Sequence, residues 1–136
     1  MAITRSKLFL GVVIALVVCF GLGFAWGVSG RGELQSTVDD VKQQLDLAEA
    51  RGEILDGRVS LYNNNFGDAS RHFESAKAPL LRVKQRYQDE SKREAVASID
   101  TAAGLLDEAQ KMTAKLDPAA NNKAGQALEA IKAAVK

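Results

Sequence analysis

The 136 residues carry 18 Lys or Arg against 17 Asp or Glu, with one histidine and one cysteine. That length gives room for one domain. Interspersed charges summing to almost zero, with no basic stripe threaded by aromatics, exclude a nucleic-acid-binding protein. A lone cysteine excludes an intrachain disulfide, so any soluble domain must hold together by packing.

Hydrophobicity is concentrated at the N-terminus. From Leu8 to Val28 there is no charged residue, and a helix of that extent is about 31 Å long, matching a hydrocarbon core of about 30 Å. Its Leu, Ile, Val and Phe residues favour insertion by about 4 to 8 kcal/mol before the glycines subtract some. The sequence therefore predicts residues 1–7 as a short cytoplasmic N-terminus, 8–29 as a transmembrane helix and 33–136 as a soluble helical domain. A cleaved signal peptide is the alternative, but the apolar run is longer than a usual h-region and Val28-Ser29-Gly30 is a weak cleavage site. Val18, standing before Cys19, argues against lipoprotein processing. Arg5 and Lys7 precede the span, which favours a cytoplasmic N-terminus and, in a bacterial inner membrane, a periplasmic domain.

Beyond Gly32 apolar residues recur at threes and fours. Leu34, Val38, Val41, Leu45, Ala48, Leu55, Val59 and Tyr62 form a heptad-like seam, interrupted by Gly52, which predicts that this face of a first helix (33–62) is buried. Gly57 lies just off the seam and reads as a point of close helix approach. Asn63-Asn64-Asn65 breaks the pattern, with Asn65 as N-cap to a second helix (66–89). Its stripe is Phe66, Ala69, Phe73, Ala76, Leu80, Val83 and Tyr87. Pro79 either kinks this helix or begins another. Ser91-Lys92-Arg93-Glu94 has capping-box form and opens a third helix (92–116) striped by Ile99, Ala102, Leu106, Ala109 and Leu116. Asp117-Pro118 ends it, and a fourth helix (119–135) carries Ala124, Leu128, Ile131 and Val135. No segment alternates with period two, so the expected fold is all-α: one membrane span followed by a small antiparallel bundle of three to four helices. So many seam positions are alanine that the core is light in apolar area.

Gly57, Tyr62, Phe66, Ala69, Phe73 and Ala76 make the expected hairpin core. Of these, Gly57, Phe66, Ala69, Phe73 and Ala76, with segment 65–76, Asn-Phe-Gly-Asp-Ala-Ser-Arg-His-Phe-Glu-Ser-Ala, resemble a single tetratricopeptide repeat over about 50–78. The resemblance implies a helical hairpin that binds proteins or peptides. Glu53, Asp56 and Ser60 depart from the family's pattern, and no second copy follows at its period of about 34 residues.

Within the span, Gly11, Ala15, Cys19, Gly23 and Gly27 fall at four-residue spacing, and Gly23 to Gly27 is a G-x-x-x-G motif. Such a stripe lets another transmembrane helix pack closely. His72, the lone histidine, reads as a partly exposed surface residue, since a zinc site needs three or four ligands. Asp39-Asp40 and Asp89-Glu90 read as solvated faces. There is no phosphate loop, nucleophile elbow or Cys/His cluster. These features predict a non-enzyme without cofactor: a single-pass scaffold or accessory subunit of a membrane protein complex. The alternative is a membrane-tethered, tetratricopeptide-like chaperone or peptide-binding adaptor. Expected partners are membrane proteins reached through the span and the helical domain, with homodimerisation left open.

Overall fold

A computed structural model describes the backbone of residues 2–135 and the side chains of Val13, 16–19 and 35–135. The chain divides into two compact units, Met1–Asp40 and Val41–Lys136. Helix α1 runs Ala2–Tyr62, α2 Phe66–Asp89, α3 Arg93–Thr113 and α4 Ala120–Ala134, with no strand among the described residues. The fold is all-helical.

In the first unit Val13, Leu16, Val17 and Val18 are exposed, as is Cys19. Among the described residues no helix is long and apolar enough to cross a membrane. Most side chains of the span read at 8–29, and those of Gly11, Ala15, Gly23 and Gly27 in the predicted packing stripe, lie outside the described residues. The first helix has no break at 30–32: its backbone stays helical from Ala2 onward.

In the second unit, residues 41–62 of α1 and helices α2, α3 and α4 are joined by tight turns, and each turn is set by a non-glycine residue in the left-handed region. Asn64, Ser91 and Leu116 have φ of 57°, 59° and 57°. After α1, the Asn65 N–H donates to Ser60 O at 2.8 Å and the Asn64 N–H to Leu61 O at 3.0 Å. This is the paired six-to-one and five-to-two closure of a Schellman turn, which satisfies the last carbonyls of a helix. Lys92 and Ser91 repeat it on Tyr87 and Gln88, at 2.8 and 3.0 Å, and Asp117 and Leu116 on Met112 and Thr113, both at 3.0 Å.

These turns correct two sequence readings. Ser91 does not cap α3: it closes α2, and the N-cap is Lys92, whose side chain makes no capping bond. The third helix stops at Thr113 rather than 116, because Leu116 has flipped to positive φ and cannot continue it. Asn65 does cap α2, its side-chain oxygen accepting the Asp68 N–H at 3.2 Å. Asp117 Oδ1 accepts the Ala119 N–H at 2.8 Å and orients the chain into α4. Pro79 interrupts nothing; it is buried inside one continuous α2.

Each helix buries a narrow stripe. On α2 it is Ala69, Phe73, Ala76, Leu80, Val83 and Tyr87; on α3 Ile99, Ala102, Leu106 and Ala109; on α4 Ala120, Ala124, Ala127 and Ile131. Phe66 packs against this core from its edge. Alanines at so many contact points let the helices lie close, with Phe73, Ile54, Leu80, Ile99, Leu106 and Ile131 as the largest fully buried side chains.

Candidate interaction surface

Helix α1 has two apolar faces in the second unit, and the bundle uses the one that the sequence reading passed over. Leu47, Ala50, Ile54, Gly57 and Leu61, at threes and fours, are buried. The predicted seam is outside: Val41 is 60% exposed, Leu45 66%, Leu55 49%, Val59 59% and Tyr62 85%. Tyr62 therefore does not belong to the hairpin core. At about 100° per residue the two stripes sit roughly 150° apart round the helix, so packing one leaves the other facing away. Val38, in the first unit, is also exposed.

The inner face is selected by fit and charge together. A Cβ built on Gly57 would stand 2.5 Å from Phe73 Cε1 and 2.9 Å from Cδ1, so the fully buried Phe73 ring rests on the bare backbone of α1. The small-residue contact expected at Gly57 is thus made by Phe73, with Ala69 and Ala76 buried beside it on α2. Along one edge of the inner face, Asp46, Glu49 and Glu53 form an acidic ridge. Arg82 of α2 reaches Asp46 at 2.7 Å and Glu49 at 2.8 Å, and Arg86 reaches Asp46 at 2.6 Å. His72 Nδ1 lies 2.7 Å from Glu53 Oε2, so the histidine is part of the same α1–α2 tie. On the other edge, Arg58 Nε donates to Asn121 Oδ1 of α4 at 2.7 Å.

Burial pushes the Asp46 carboxyl upward, but the hydrogen bonds and charges of Arg82 and Arg86 outweigh it and hold the group below its ordinary value. Between α2 and α3, Lys77 contacts Asp107 at 2.5 Å and Glu74 at 2.8 Å, and its side chain also meets Gln110. Burial pulls the Lys77 ammonium down, and these two carboxylates more than restore it, leaving it above the usual lysine range. Lys84–Asp100 at 2.6 Å and Lys123–Glu108 at 2.6 Å continue the pattern toward α3 and α4. The sequence reading missed all these pairs: charges far apart in sequence give no signal until the helices are placed.

Among the described residues, two shallow depressions are of note. One, near 710 Å³, is floored by Pro118, Asn122 and Gly125 beside Arg58. The other, near 300 Å³, lies over Leu80 and Ile99 between Lys77 and Lys84. Neither presents a nucleophile beside a base, and the polar groups at their rims are already tied: Asn121 to Arg58, and Lys84 to Asp100. Among the described residues no three His, Cys, Asp or Glu converge as a metal site. What stands out chemically is the outer face of α1, where Val41, Leu45, Leu55, Val59 and Tyr62 are exposed on a helix whose opposite face is packed into the bundle. Comparison with family models, with curated proteins and with solved structures finds no match for this chain, so the tetratricopeptide resemblance rests on its residues alone.

Proposed function

We propose that this protein is a non-enzymatic scaffold or accessory subunit of a membrane protein complex, anchored by residues 8–29 and working through helix packing. One observation carries the reading: the exposed seam Val41, Leu45, Leu55, Val59 and Tyr62 on α1. Scattered apolar residues on a surface are ordinary, but a contiguous row of them marks an interaction site. A helix presenting such a row at three-and-four spacing is suited to another helix. The charge-free stretch from Leu8 to Val28 supports the anchor, and Arg5 and Lys7 before it support a cytoplasmic N-terminus with the bundle across the membrane. Gly11, Ala15, Cys19, Gly23 and Gly27 give the span a face on which a second transmembrane helix can pack.

The test is purification of the tagged full chain from membranes in mild detergent, with identification of what accompanies it. A stoichiometric membrane component supports the scaffold. Fractionation of the chain with soluble proteins, unaccompanied, refutes it. A mixture of unfolded exported proteins in its place would favour a tethered chaperone.

A further inference from the structure

We infer that the outer face of α1 is a parallel, two-stranded coiled-coil seam whose occupant is a second copy of this chain. The inference deepens the scaffold reading above and, for its orientation, rests on the shared anchor proposed there. Val41, Ala48, Leu55 and Tyr62 fall at one core position of a heptad, and Leu45, Gly52 and Val59 at the other. All seven are exposed in the folded chain. The seam is therefore complete before any partner arrives, and occupying it requires no opening of the bundle. It covers three heptads, about the minimum for a recognisable coiled coil, and in sequence the same spacing reaches back through Val38 and Leu34.

Charge selects the occupant and its direction. The flank that precedes the Leu45/Gly52/Val59 positions carries Gln44, Arg51 and Arg58. The flank that follows the Val41/Ala48/Leu55/Tyr62 positions carries Lys42, Glu49, Asp56 and Asn63. In a parallel dimer the first flank of one helix meets the second flank of the other five residues further on. Arg51 then faces Asp56 of the second copy, twice by symmetry, and Gln44 faces Glu49. In an antiparallel pair each flank meets its own kind, so Arg51 and Arg58 oppose arginines and the Arg51–Asp56 pairing is lost. Of the two directions, only the parallel one brings Arg51 against Asp56. Two chains anchored by their N-termini in one membrane are already parallel, and tethering raises their effective concentration.

Gly52 and Ala48 sit at successive core layers near the middle of the seam. A Cβ on Gly52 would meet nothing within 4 Å in the single chain, so this stretch has room for close approach of a second backbone. The larger Leu45, Leu55 and Val59 close the layers on either side. Glu49 is shared with Arg82 of its own bundle, whereas neither Arg51 nor Asp56 takes part in the ion pairs that tie α1 to α2 or α4.

The experiment uses the full chain in its membrane, with Cys19→Ala as background. Leu45→Cys and Leu55→Cys should each give a disulfide-linked dimer on mild oxidation, because core positions of a parallel pair face their own copies. Gly104→Cys, on the exposed face of α3, should give none. Arg51→Glu should lower the cross-linked fraction severalfold, and Arg51→Glu combined with Asp56→Arg should restore it. Because Leu45 and Leu55 are exposed in the single chain, Leu45→Glu with Leu55→Glu should leave helix content unchanged and lower the melting point only by what the dimer contributes. It should still weaken dimerisation about tenfold or more. Absence of cross-links at both seam positions, or cross-links indifferent to Arg51→Glu, overturns the dimer. If Leu55 instead cross-links stoichiometrically to a different membrane protein, the dimer is refuted while the scaffold stands. A chain monomeric and unaccompanied at every position refutes both.

Discussion

Gly57→Ala should destabilise the bundle although alanine is the better helix former. The added Cβ would lie 2.5 Å from one Phe73 ring carbon and 2.9 Å from another. Real carbon contacts lie nearly an ångström further out, so the ring or the helix must yield. The ring has nowhere to go, since Phe73 is fully buried between Ala69 and Ala76 on its own helix. Overpacking of this kind costs about 1 to 3 kcal/mol, and replacing glycine within a helix returns about 1 kcal/mol. A clash this close puts the net loss near 1 to 2 kcal/mol. Gly104→Ala is the control: nothing lies within 4 Å of its Cβ, so it should gain up to about 1 kcal/mol. In a domain of this size each kcal/mol moves the midpoint by about 4 to 8 °C. The two alanines should thus shift thermal unfolding, followed by far-UV circular dichroism, in opposite directions. Phe73→Leu placed on Gly57→Ala should recover part of the loss, a coupling that a double-mutant cycle reads directly. Equal shifts for Gly57→Ala and Gly104→Ala, or strict additivity with Phe73→Leu, would refute the close approach.

Phe73→Ala should cost about 3 to 5 kcal/mol in the same melting assay, as removal of a wholly buried phenylalanine does. His72→Ala, which loses only a half-exposed pair with Glu53, should cost no more than about 1 kcal/mol. Leu116→Gly should stabilise by about 1 kcal/mol, because a leucine at φ 57° pays a steric penalty that glycine does not, and the side chain is 67% exposed. The Asp46 carboxyl is held below its ordinary value in the fold, so its contribution is present above about pH 4 and is lost as pH falls through the lowered folded value. Asp46→Asn should therefore be less stable than the parent at neutral pH, and denaturant titrations of the two should converge in acid. Protease added to intact spheroplasts should digest the bundle, whereas protection would reverse the proposed topology.

The helical character was legible throughout, because three-and-four spacing of apolar residues survives any choice of partner. The buried stripes of α2 and α3 could be read for the same reason: each of those helices has one apolar face. Helix α1 has two, and the richer one, with Val41, Leu45, Leu55 and Val59, points out. Leu47, Ile54 and Leu61, spaced seven apart, were the available signal for the inner face. They are interleaved with Asp46, Ala50 and Gly57, which dilute any hydrophobic average. Only the fit of Phe73 on Gly57 and the meeting of Asp46 with Arg82 and Arg86 decide between the faces, and both are long-range. Helix ends set by left-handed residues were half legible. Asn64 announces itself, whereas Ser91 and Leu116 do not, since neither residue type prefers that conformation.

The make-up of the core also determines how mutational scanning of this protein must be read. Among the described residues nineteen hydrophobic side chains are buried, and nine of them are already alanine. An alanine scan is therefore silent at almost half of the packing positions, and would leave Ala69, Ala76, Ala102, Ala109 and Ala124 looking dispensable. The informative perturbation runs the other way. Alanine to valine or leucine at these sites should separate helices that now lie close, with losses of about 1 to 3 kcal/mol at each site. In random mutagenesis, intolerance should then track added volume rather than lost volume on the facing sides of α2, α3 and α4, while the outer side of α1 tolerates both wherever dimerisation is not selected.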